Sequence, residues 1–138
     1  MEGRRWRILK GELDDAVRRA VLAAARKREI CGLLIDNGYF LELVFMRNKS
    51  RTPSKCAFYF GEVMAVEKAC RKVGHRIIGT FHSFPASCAE AEGDGHIDNS
   101  VDGSLLLVIS STEKKATLWQ TEDGGTKKAP YIVLTGWE

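Results

Sequence analysis

Long apolar runs, paired cysteines and an excess of one charge are all missing from this sequence of 138 residues. No stretch approaches the ~18 consecutive apolar residues of a membrane-spanning helix, so no membrane is expected. Met1–Leu13 lacks the apolar run of a secretory leader. None of the four cysteines, Cys31, Cys56, Cys70 and Cys88, forms a Cys-x-x-Cys pair. That removes the simplest redox and zinc-ribbon motifs and leaves reduced, mostly buried thiols in a cytoplasmic protein as the expectation. Lys and Arg number 21 against 18 Asp and Glu, a net charge of +3. The clusters Arg4-Arg5-Arg7 and Arg26-Lys27-Arg28 have no interleaved aromatics, so they read as solvated faces and nucleic acid is not expected as a partner.

What is present is an ordinary globular composition. Hydrophobic residues make up 44% and charged residues 28%, enough for one core without staples. The length predicts a single domain over residues 1–138, and no linker, repeat or low-complexity segment interrupts it.

The elements follow from periodicity. Trp6–Leu9 reads as an opening strand. Leu13, Val17, Ala20, Val21 and Ala24 share one helical stripe, which predicts a helix over about residues 12–27. Asp14 and Asp15 fall in its first turn and Arg26, Lys27 and Arg28 in its last, as the helix dipole favours. Glu29–Asp36 and Tyr39–Met46 are apolar runs joined by Asn37-Gly38, a strong hairpin signal. Residues 47–57 read as a loop. Val63, Val66, Ala69, Cys70 and Val73 predict a second helix over 61–73, ended by Gly74. Arg76–Phe81 is a strand leading into His82, and residues 83–103 are too polar and broken for a regular element. Leu105–Ile109, Ala116–Gln120 and Tyr131–Leu134 read as strands, the last two joined by a turn at Gly124-Gly125. The order predicts an α+β domain whose sheet packs against two helices.

The residues that carry chemistry are Glu29, His82, Ser83, Pro85 and the acidic stretch Glu90–Asp98. A catalytic zinc needs about three protein ligands and an open position for water. A neighbouring carboxylate that is not a ligand can take that water's proton. His82 at a strand end and Asp94 in the loop after it are candidate ligands.

Here the sequence resembles a known family. JAMM-motif metallopeptidases, the bacterial-type MPN/JAB (Mov34/MPN/PAD-like) domains, carry an early Glu, then His-x-His-Pro, six residues, Ser, two residues and Asp. Arg28-Glu29-Ile30-Cys31-Gly32-Leu33-Leu34 looks like the family's Glu-bearing strand. Arg47-Asn48 followed by Phe58 is similar to its Asn-containing loop, and Ile78-Gly79-Thr80-Phe81-His82-Ser83 to the strand delivering the first histidine. Gly103–Ser110 and Thr117-Leu118-Trp119 look like the strands after the motif. The resemblance runs over about residues 8–135.

It implies a cytidine-deaminase-like fold: a mixed, largely antiparallel sheet flanked by two helices. It implies Glu29 as acid/base and His82 and Asp94 as zinc ligands, with Glu29 and His82 entering one pocket. Ser83, Phe84 and Pro85 would line the substrate side. The implied substrates are proteins or peptides, such as a ubiquitin-like or sulfur-carrier-like tail.

Two departures stand out. The second histidine is replaced by Phe84, whose ring has no lone pair for a metal and can fill the space left behind. Counting from Pro85, the motif's Ser position falls at Glu92 and its Asp position at Gly95, with Asp94 and His96 on either side. His96 or Cys88 could stand in as a ligand. Losing one of three protein ligands weakens zinc binding, and losing an oxyanion donor costs ~3 kcal/mol of transition-state stabilisation. Two functions follow: a JAMM-type zinc peptidase or isopeptidase with an incomplete metal site and reduced or lost activity, or a metal-free module for protein binding or assembly.

Overall fold

The structure is a computed structural model that describes residues 6–50, 56–84, 104–122 and 125–135. A first strand, β1 (Trp6–Leu9), runs directly into helix α1 (Lys10–Ala24). Strands β2 (Cys31–Asp36) and β3 (Leu41–Met46) form a hairpin, and α2 (Phe60–Lys72) follows it. Then come β4 (Arg76–Phe84), β5 (Leu105–Ser110), β6 (Lys115–Glu122), β7 (Gly125–Lys128) and β8 (Tyr131–Leu134). All eight strands join one sheet in the order β7-β6-β5-β4-β2-β3-β1-β8.

The two strands with continuous apolar sequence, β2 and β5, are buried at every residue, as central strands covered on both faces must be. Between them lies β4, antiparallel to β2 and parallel to β5. Side chains alternate across a sheet, so register assigns each residue a face. Gly32, opposite Phe45 and Phe81, leaves room for those two rings to meet edge to face at 5.2 Å. A methyl group at Gly32 would run into the Phe81 ring and the Val44 carbonyl.

Helix α1 covers that face. Its Ala16 and Ala20 are fully buried against Leu34, Phe81, Leu105 and Leu107, and their small side chains permit close approach to the sheet. Glu12 ties the helix down, its Oε1 accepting the Leu43 N–H at 2.9 Å. Helix α2 lies on the other face, where Cys70, Val63 and Val66 meet Leu33, Ile35 and Ile77. A further cluster on that face, Phe84, Leu106, Val108 and Trp119, contains no helix residue.

The expected α+β arrangement, a largely antiparallel sheet flanked by two helices in the cytidine-deaminase-like manner, is therefore corrected. Strand takes up 45% and helix 27% of the described residues, and the eight-stranded mixed sheet curls into a half-barrel carrying two helices. The reason is one of reach. The 13 residues of α2 make a rod of about 20 Å, enough to cross about four strands at ~4.8 Å spacing, whereas the sheet has eight. Strand β7, Gly-Thr-Lys-Lys, is exposed at every residue and offers no apolar alternation from which to predict it.

Local differences have local causes. Helix α1 begins at Lys10, ahead of the expected start, with Leu9 as an N-cap that makes no side-chain hydrogen bond. Asp14 then pairs with Lys10 across one turn at 2.6 Å. The helix closes before Arg26, and Lys27 takes a left-handed conformation at φ 57°. The Asn37-Gly38 hairpin has four loop residues between the paired Asp36 and Leu41. Asn37 Oδ1 accepts from the N–H groups of Tyr39 and Phe40, and Gly38 has φ 93°. Strand β4 continues through Ser83 and Phe84, which pair in parallel with Ile109 and Ser110.

Candidate functional site

Where β2 begins and β4 ends, the two strands bring Glu29 and Ser83 together. Ser83 N–H donates to the Ile30 carbonyl at 2.9 Å, and Ile30 N–H donates to Ser83 Oγ at 2.8 Å. The Ser83 hydroxyl in turn donates to Glu29 Oε1 at 2.7 Å. Ser83 is fully buried and Glu29 is 8% exposed. A carboxylate held out of water needs such donors, and a hydroxyl both accepting and donating uses its capacity in both directions.

His82 stands opposite Cys31 on the other side of β4 from Ser83. Its Nδ1 lies 3.1 Å from the Ser83 carbonyl oxygen. A carbonyl only accepts, so the contact is a hydrogen bond in those forms of the ring that carry a proton on Nδ1. Glu29 thus reaches β4 one residue past His82, at a side chain that points the other way.

Asn48 fastens the next segment to this corner. Its Nδ2 donates to the Glu29 carbonyl at 3.3 Å, and its Oδ1 accepts from Ser50 N–H at 2.9 Å and Ala57 N–H at 3.2 Å. The same amide lies 3.7 Å from Cys56 Sγ, and Cys56 Sγ lies 3.6 Å from the Ile30 carbonyl. The neighbouring Cys56 thiol holds the Cys31 thiol below its ordinary pKa, against the opposing effect of burial. The neighbouring Cys31 thiol, then burial, then the Cys31 and Glu29 charges, push the Cys56 thiol far up.

Phe84 occupies the position that the motif gives to a second histidine. It is 4% exposed and packs with Leu106, Val108 and Trp119. Trp119 Nε1 is buried in the same cluster without a hydrogen-bond partner among the described residues. Pro85, Cys88, Asp94 and His96 lie outside the described residues. Among the described residues, no three His, Cys, Asp or Glu side chains assemble as a metal-holding group. The described donors, one imidazole beside a buried phenyl ring, do not by themselves fit a site of three zinc ligands.

The role of Ser83 in holding Glu29 escaped the sequence reading, which placed Ser83 on the substrate side. The signal was there: strand alternation from the core residue Phe81 buries Ser83 on the same face, and a buried hydroxyl demands partners. The meeting of Cys31 and Cys56 left no comparable trace, because a loop brings Cys56 back to the start of β2.

No protein-family model matches the chain, and no curated protein matches it. Among solved structures, the fold is similar to the solution structure of protein DSY2949 from Desulfitobacterium hafniense. The TM-score is 0.70 at 24% identity, over 96% of this chain and 94% of that one. A solution structure of a protein from Salinibacter ruber is similar at a TM-score of 0.49 and 15% identity, over 94% of this chain and 91% of that one. At these identities the likeness concerns the fold alone. No helix among the described residues is long and apolar enough to cross a membrane.

Proposed function

We propose that the chain is a relative of the JAMM-type zinc peptidases and isopeptidases whose metal site is incomplete, so that amide hydrolysis is reduced or lost. The observation that carries this reading is Phe84. At the position of the second motif histidine, its ring is 4% exposed and sealed into a cluster with Leu106, Val108 and Trp119. In this reading Glu29 keeps the acid/base position, but the 2.7 Å hydrogen bond from Ser83 holds its carboxylate on the side of β4 away from His82, which adds to the loss of activity. The substrate class is a protein or peptide with a slender tail, such as a ubiquitin-like or sulfur-carrier-like protein. A cytoplasmic setting belongs to the same reading, since Cys31, Cys56 and Cys70 are free thiols.

A metal-free module for protein binding or assembly is the second reading. It is favoured by Phe60 and Met64, one turn apart on α2 and exposed at 78% and 41%, as contact residues of a binding surface are.

Hydrolysis of an isopeptide-linked ubiquitin-like conjugate and of short peptides, with zinc added, separates the two. The wild-type chain is expected to turn over slowly or not at all. Phe84→His should raise the rate, and Glu29→Gln added to Phe84→His should remove the gain. Brisk zinc-dependent hydrolysis by the wild-type chain would refute the loss of activity. No gain from Phe84→His would leave the binding module.

A further inference from the structure

Helix α2 packs Val63, Val66 and Cys70 onto the sheet, and its outer side carries a row that this packing does not explain. Phe60, Met64, Lys68 and Lys72 follow at four-residue intervals and form one ridge along the helix. Phe60 is 78% exposed and Met64 41%, and both lysines are exposed. Tyr59, the N-cap residue, adds a third exposed apolar side chain at the same end. Aromatic and Met side chains grouped at a surface in this way are typical of contact regions.

Charge gives the chemistry of what would cover them. Both carboxylates of α2 are already taken, Glu62 by Arg47 and Glu67 by Arg71. Lys68, Lys72 and Lys49 make no ion pair among the described residues. Lys49 belongs to the same surface, since its Nζ lies 5.9 Å from the centre of the Tyr59 ring. Arg47 stacks on that ring at 4.6 Å, which holds the aromatic end of the ridge in place. These three uncompensated cations match the net charge of +3 of the whole chain, so the excess is concentrated here. On the sheet side of the ridge lies a cavity of about 430 Å³. Val63, Cys70 and Ile77 are its apolar lining, and Glu67, Arg71 and His75 its polar lining. That volume accepts a large apolar side chain.

We propose that the ridge and the cavity beside it are the docking surface for an acidic, apolar segment of a partner protein. Its apolar side chains cover Phe60 and Met64 and enter the cavity. Its carboxylates, about 12–18 Å further along the helix axis, meet Lys68 and Lys72. A polyanion without apolar side chains would match the lysines and leave Phe60 and Met64 in water, and a basic segment would leave the lysines opposed by like charge. Naming the partner's chemistry deepens the reading of the chain as a binding module, on which it rests.

The test is fluorescence anisotropy on the full chain, without added metal, with three fluorescein-labelled peptides. The first has Leu and Phe in one half and Asp and Glu in the other. The second replaces the acids by Lys, and the third keeps the acids and replaces the apolar residues by Ser. The first is expected to bind saturably, roughly tenfold more tightly than the others, and to weaken as salt rises. Phe60→Ser with Met64→Ser should weaken it by roughly tenfold. Lys68→Glu with Lys72→Glu should reverse the preference, so that the Lys peptide binds better. Arg26→Glu with Arg28→Glu, an equal charge change at two exposed positions elsewhere, should leave the preference as it is. All these side chains lie on the surface, so unfolding midpoints measured alongside should match wild type.

Reversal by the Arg26/Arg28 variant would show that net charge alone selects the peptide and would overturn the proposal. Equal binding of the first and third peptides, or no binding, would overturn it too. So would tighter binding of a labelled single-stranded oligonucleotide, or self-association of the chain that Phe60→Ser with Met64→Ser abolishes, which would give the ridge to a second copy. A chain that binds only the Lys peptide, or itself, remains a binding module with a different partner. Hydrolysis recovered by Phe84→His removes the binding-module reading itself, so the two failures are told apart.

Discussion

Ser83 and Phe84 are neighbours on one strand, yet they face opposite sides of the sheet and obey different chemistry. Toward the α1 face, Ser83 is buried among polar partners and passes a hydrogen bond from the Ile30 N–H to the Glu29 carboxylate. Toward the other face, Phe84 is buried among Leu106, Val108 and Trp119 with nothing polar to offer. A buried polar group is kept only when its partners are in place, while an apolar ring needs only shape and the absence of water. The difference shows how one strand can carry a hydrogen-bonded hydroxyl and a buried ring side by side: the two depend on separate faces, and filling one with a ring leaves the other untouched.

The comparison breaks most visibly at Phe84. Phe84→Ala removes a buried ring and leaves a cavity, with an expected cost of about 3–5 kcal/mol, read by urea or guanidinium unfolding. A loss under about 1 kcal/mol, typical of surface positions, would mean that the ring is not the filler of that cluster. Ser83→Ala attacks the other face. It removes the hydroxyl that accepts from the Ile30 N–H and donates to Glu29, at an expected cost of about 1–3 kcal/mol, measured the same way. Equal stability would show that Glu29 does not rely on this donor.

The smallest effect is expected at Glu12, a second partly buried carboxylate on the Ser83 side of the sheet. Burial raises its pKa above the ordinary 4.5, outweighing the hydrogen bond from Leu43 N–H, and the Glu42 charge raises it further. A carboxyl whose folded pKa lies above its unfolded one contributes stability that is fully present below the unfolded value and is lost as pH rises through the folded value. Glu12→Gln keeps an acceptor for Leu43 and removes the titration. The variant should therefore gain relative to wild type as pH climbs from about 4 to 7, in unfolding curves taken across that range. A variant whose deficit grows with pH would reverse the sign and contradict the burial cost.

Much of the scaffold could be read from the residues. The apolar runs of β2 and β5 announce central strands, Asn37-Gly38 announces the hairpin, and the Leu13/Val17/Ala20 face of α1 follows from spacing. The start of α1 was not legible, because Leu9 caps it without a Ser, Thr, Asp or Asn to mark the place. The continuation of β4 through Phe84 depends on parallel pairing with β5, a partner distant in the sequence. The sheet is completed at its edges, where β7 is polar and exposed and β8 pairs in parallel with β1. Nothing local encodes either pairing. At the site, the apolar runs announce the two strands that end beside each other at Cys31 and His82. The Ser83 bridge and the Cys31–Cys56 meeting needed register and a loop closure.

The central proposal is that a phenyl ring at position 84 stands where a zinc site would need a second histidine beside His82, and metal content tests it most directly. The wild-type chain, purified without chelator, equilibrated with zinc, gel-filtered and analysed by elemental mass spectrometry, is expected to retain far less than one zinc per chain. Phe84→His treated identically is expected to retain clearly more. Retention of about one tightly held zinc per chain by the wild-type protein, unchanged by Phe84→His, would contradict the account.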